Sequence, residues 1–127
     1  MSSLCLSAGA MVVSLSWQAF TISWTHSVEQ VEWQEDYRVA GRHLELSAAR
    51  IKGSGAGMDV PPGAVHAAGM YHYWPKRPPI ESLNLARSEG RKDYGICWEL
   101  GCMTLSSLLP GAPKDSTVEI YSCAARP

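Results

Sequence analysis

Ala19-Phe20-Thr21-Ile22-Ser23-Trp24-Thr25-His26-Ser27-Val28 and, after Glu29-Gln30, Val31-Glu32-Trp33-Gln34-Glu35-Asp36-Tyr37-Arg38-Val39 are the residues that decide this fold. In the first run Phe20, Ile22, Trp24, His26 and Val28 share one parity, and Thr21, Ser23, Thr25 and Ser27 the other. In the second, Val31, Trp33, Glu35, Tyr37 and Val39 alternate with Glu32, Gln34, Asp36 and Arg38. A period of two sends successive side chains to opposite faces of an extended chain. The pattern predicts two strands, each with one buried face.

A hairpin that buries both apolar faces must pair even positions with odd ones. A short loop at Glu29-Gln30 sets Val28 opposite Val31, His26 opposite Trp33 and Trp24 opposite Glu35; a slip of two sets His26 opposite Glu35. In either register the two side chains are neighbours, at most about 7–8 Å apart along the diagonal. A carboxylate on an apolar face is costly unless paired, and an imidazole is a natural partner. His26 and Glu35, floored by Trp24 and Trp33, are therefore candidate ligand contacts; the competing reading is a structural pair that satisfies itself. Arg50 shares parity with Leu44 and Leu46 and would join the pair unless a bulge at Ala48-Ala49 turns it outward.

Working outward, alternation continues on both sides. Leu4 and Leu6 open a strand that ends at Ala8-Gly9, and Val13 and Leu15 mark another. A run from Leu44 reaches Lys52, and an aromatic strand spans 69–74. Short strands follow at 83–87, 93–97, 102–105 and 117–122, with no helical period anywhere. About nine or ten short strands between Gly/Pro turns predict an all-β antiparallel sandwich or partly open barrel, as one domain over residues 1–127. A chain of 127 residues suits one domain. With 46% hydrophobic and 18% charged residues it is globular in composition.

The eleven basic residues are scattered and the net charge is −1, which argues against nucleic acid or an anionic membrane surface as partner. No apolar stretch reaches the roughly 18 residues of a membrane span. Met1-Ser2-Ser3 lacks the charged start of a signal peptide, which favours the cytoplasm by default. The cysteines point the other way. Cys97 and Cys102 bracket a four-residue turn and would face each other in a hairpin, while Cys5 and Cys123 could clip the terminal strands. Two disulfides would place the domain in an oxidising compartment. Free thiols are the alternative, and zinc a weaker one, since the ligand spacing is wrong.

No catalytic signature is present. Ser27 adjoins His26 and so points to the opposite face of a strand, out of reach as its nucleophile. There is no G-x-S-x-G elbow. His26, Glu29, Glu35 and His72 have no metal-ligand spacing. Gly53, Gly55 and Gly57 are not a dinucleotide motif, because Pro61-Pro62 bars the helix such a site needs. A tight structural loop explains them, and Gly55 and Gly57 could also form a backbone nest for a carboxylate. No cofactor is implied.

Trp24-Thr25-His26-Ser27-Val28-Glu29, Glu35-Asp36-Tyr37-Arg38-Val39, Gly53-Ser54-Gly55-Ala56-Gly57-Met58 and Pro61-Pro62-Gly63 together resemble the bacterial domain of unknown function 1850 family. The likeness runs on through Leu85-Ala86-Arg87-Ser88 and Tyr94-Gly95-Ile96-Cys97. Members of that family are typically encoded beside TAXI-type TRAP transporters. The resemblance therefore implies a non-enzymatic accessory or binding module for uptake of a solute such as an organic acid, with the permease or solute-binding protein as partner. Two other readings stand beside it: a small-ligand or metal-binding enzyme using His26 and Glu35, and a purely structural domain.

Overall fold

The computed structural model describes residues 3–25, 31–52 and 62–126. They form two stacked antiparallel sheets, so the sandwich is the observed architecture and no barrel closes. The smaller sheet contains β1 (Leu4–Ala8), β2 (Met11–Leu15), β8 (Ser82–Leu85) and β11 (Val118–Ser122), in the order β2-β1-β11-β8. The larger contains β3 (Ala19–Thr25), β4 (Glu32–Ala40), β5 (His43–Lys52), β6 (Val65–Ala67), β7 (Met70–Tyr73), β9 (Gly95–Trp98) and β10 (Gly101–Thr104). Its order is β10-β9-β3-β4-β5-β7-β6. Between β10 and β11 lies a single helical turn, α1 (Leu105–Leu108), which the sequence pattern did not announce. Thr104 caps it by accepting a hydrogen bond from the Ser107 N–H. Four residues are too few to display a helical period, so the cap was the only available signal.

Aliphatic residues from both sheets fill the space between them. Leu4, Leu6, Ile22, Leu44, Ile96, Leu105, Val118 and Ile120 are fully buried, and Phe20, Tyr37 and Trp17 complete the cluster. Each such Leu or Ile contributes about 2 kcal/mol by leaving water. Ser122 ties the sheets together, its hydroxyl donating to the Gly41 carbonyl at 2.6 Å. Gly41 can occupy that corner of the β4–β5 turn because its φ is +61°, a region that favours glycine.

All four cysteines are paired, Cys5 with Cys123 and Cys97 with Cys102. The first bond clips the ends of β1 and β11. The second crosses the β9–β10 hairpin, whose loop is tighter than expected, because Trp98 already pairs with Gly101.

One expectation about the central strands is corrected, and one open alternative is decided. The β3–β4 register sets Trp24 opposite Trp33 and Ile22 opposite Glu35, two positions away from the tight-hairpin register. Parity survives, since even still meets odd, but Glu35 faces Ile22 instead of Trp24 or His26. In this register the indole of Trp24 stacks on that of Trp33, with ring centroids 6.2 Å apart. The open alternative concerned Arg50 on β5. Pairing with β4 steps from Asp36↔Ala48 to Tyr37↔Leu46, leaving Ser47 as a bulge. One extra residue reverses the facing of everything beyond it. Arg50 therefore leaves the face of Leu44 and Leu46 and lies on the outer side of the sheet, as the bulged alternative had it, with the bulge one residue earlier than Ala48-Ala49.

Candidate functional site

The outer face of the large sheet carries a polar network. Arg50 donates to Asp36 through both terminal nitrogens, at 2.7 and 2.5 Å, and through Nε to Gln34 at 2.8 Å. Thr21 donates to Asp36 Oδ1 at 2.6 Å, and Gln34 donates to Glu32. Burial alone would raise the Asp36 carboxyl, but the hydrogen bonds of Arg50 and Thr21, with the charge of Arg50, hold it below the ordinary value. Hydrogen bonding to Asp36 raises the Arg50 guanidinium in return. Every charge here has an internal partner, so this network braces the sheet.

Glu35 lies on the inner face. It accepts a hydrogen bond from the Tyr37 hydroxyl at 2.8 Å. Glu35, Ala49 and Tyr73 form one row across β4, β5 and β7. Burial, then the charge and hydrogen bond of Glu35, raise the Tyr37 phenol; burial, then Glu35, raise Tyr73 against the opposing pull of Arg77. Both phenols therefore stay protonated as donors. Among the described residues the partners of Glu35 are tyrosines. His26, Gly55 and Gly57 lie outside the described residues. Among the described residues no group of three or more His, Cys, Asp or Glu is placed to hold a metal.

A cleft of about 830 Å³ opens on another part of the molecule, where the chain leaves β8, passes through 86–94 and meets α1. Trp24 and Tyr94 supply an aromatic wall, their ring centroids 6.4 Å apart and tilted. Arg87, Arg91, Lys92 and Lys114 line it, against two carboxylates, Glu89 and Asp93. Asp93 is already engaged. Its Oδ1 accepts from the Tyr94 N–H and its Oδ2 from the Ser106 N–H, each at 2.9 Å, which fixes the loop to α1.

Arg87 is only 8% exposed. Its guanidinium donates to the carbonyls of Ser116 (3.1 Å) and Pro113 (2.9 Å), and to the hydroxyls of Ser106 (3.1 Å) and Ser116 (2.8 Å). These bonds gather the end of β8, α1 and the 113–116 turn around one side chain. All four acceptors are neutral, and no carboxylate among the described residues meets it. A buried charge is ordinarily paired with an opposite one. Here its positive field extends into a cleft whose rim adds three more cations. Burial, and Asp93 against the opposing effect of Arg91, raise the Tyr94 phenol, so it remains a donor over the physiological range.

Of the residues nominated from sequence, Trp24 is in this cleft; Trp33 stacks behind it, and Glu35 belongs to the tyrosine cluster. Sequence reading missed Arg87, Arg91, Lys92, Tyr94 and Lys114. One signal was available for Arg87. It shares parity with Leu83 and Leu85, and so falls on the buried side of the predicted 83–87 strand. Lys114 had none, since only the fold brings it to a loop some twenty residues earlier in the chain.

Fold and cleft together define an all-β domain with a cationic, aromatic-walled recess. Residues 20–105 match the family described as Domain of unknown function (DUF1850), and the chain belongs to that family. The matched span includes Trp24, Arg87, Arg91, Lys92 and Tyr94 but stops short of Lys114. No curated protein and no solved structure gives a significant match to the chain.

Proposed function

We propose that this domain is a non-enzymatic binding module that takes a small organic acid in the Arg87 cleft. The observation that carries the reading is the imbalance there: four cations, one of them a buried arginine without a carboxylate, against two carboxylates. An anionic group on the ligand would offset that charge, and Trp24 and Tyr94 would cover its apolar part. Asp93 is committed to two backbone N–H groups and so is poorly placed to serve as a general base.

The module serves a TAXI-type TRAP transporter in this reading, with the permease or the solute-binding protein as its partner. Support comes from membership of the family, whose resemblance implies that setting. The two disulfides favour an oxidising compartment, outside the cytoplasm. Among the described residues no helix is long and apolar enough to cross a membrane. The test has two arms. A panel of organic acids in a thermal-shift assay should include compounds that raise the melting temperature in proportion to concentration. Affinity capture with both transporter components should recover at least one of them; recovery of neither would remove the transporter assignment, and a flat panel would remove the ligand assignment.

A further inference from the structure

Resting on the reading of the Arg87 cleft as an organic-acid site, we infer that its ligand carries two anionic groups. The cations reach the cleft from separate segments. Arg91 and Lys92 come from the loop after β8, and Lys114 from the turn before β11. No ion pair engages any of the three among the described residues. Arg87 lies between the segments, bonded at once to Ser106, Pro113 and Ser116. Its four neutral acceptors orient the guanidinium without cancelling its charge.

The arithmetic of the lining favours a dianion. Four cations less two carboxylates leave an excess of two positive charges. A monoanion would leave half of that uncompensated. A ligand with an anionic group at each end of a short carbon chain would set one group against Arg91 and Lys92 and the other near Lys114. Its carbon chain would then lie along Trp24 and Tyr94. The Tyr94 phenol, kept protonated, supplies a neutral donor that suits a carboxylate oxygen.

Isothermal titration calorimetry on the full chain with its disulfides intact would test this, using succinate and glutarate against butyrate and valerate. The dicarboxylates should bind roughly five- to tenfold more tightly than the monocarboxylates of equal length, as expected for one added charge-assisted contact. That preference should shrink as salt is raised. Lys114→Ala should remove most of the preference, weakening the dicarboxylates several-fold more than the monocarboxylates, because the second anionic group loses its partner. Arg91→Ala/Lys92→Ala should also remove most of it. Equal affinity for both classes in the unaltered protein would overturn the inference and leave the organic-acid reading standing. So would a Lys114→Ala variant that weakens both classes equally. No heat with any acid would overturn both.

Discussion

Arg50 and Arg87 are the two guanidinium groups most embedded in this molecule, and they are embedded differently. Arg50 sits on the outer face of the large sheet, its side chain 20% accessible, and grips a carboxylate with both terminal nitrogens. Arg87 is more deeply buried and touches only carbonyls and hydroxyls. Burial by itself therefore does not tell whether a cation has been neutralised. Arg50 and Asp36 cancel one another, and the pair braces β4 against β5. Arg87 holds three chain segments together, and its charge is free to act on whatever enters the cleft.

Removing each side chain would sharpen the contrast. Arg87→Met should have the largest effect, a loss of about 3 kcal/mol in chemical denaturation, because it removes the four hydrogen bonds that tie the end of β8 to α1 and the 113–116 turn. A loss below about 1 kcal/mol would mean that Arg87 does not organise the cleft. Asp36→Asn should cost less, about 1 kcal/mol near neutral pH, since the pair is partly exposed and screened by solvent. Its pH dependence has a definite sign. Asp36 has a folded value below its ordinary 3.8, so its contribution is fully present above that value. It is lost as pH falls through the lower folded value. Acid denaturation below about pH 4 should thus bring wild type and Asp36→Asn together.

Arg50→Lys should cost less again, roughly 0.5 kcal/mol, by replacing a two-pronged contact with a point charge. Lys114→Ala should be the mildest, within about 0.5 kcal/mol of wild type, because the residue is exposed and unpaired among the described residues. Its effect should show in ligand titrations instead. A large stability loss in Lys114→Ala would break the division between bracing and binding cations.

Much of the sandwich was legible because alternation is a local property. Phe20, Ile22 and Trp24 declare their face within seven residues, and the strands they announce are present. Register is less local. The sequence restricted β3–β4 to an even–odd pairing but could not choose among slips of two, each of which buries the same residues. A bulge near Ala48-Ala49 was one of two readings that the pattern left open; it falls at Ser47, and it alone decides which face Arg50 occupies. The cleft was least legible, since its cations are drawn from separated loops that show no period. Trp24 was picked out because it lies on a patterned strand. Lys114 lies on none. The buried parity of Arg87 was the one readable clue, and it gains meaning only once its acceptors prove to be neutral.

The central claim is that the cationic cleft binds an organic acid. It is tested most directly by comparing wild type with an Arg91→Ala/Lys92→Ala/Lys114→Ala variant in succinate titrations followed by thermal unfolding. All three changes are at exposed positions, so the variant should unfold as cooperatively as wild type. The prediction is a saturable rise in melting temperature for wild type and none for the variant. An equal rise in both proteins, or no rise in wild type across the organic-acid panel, would contradict the account.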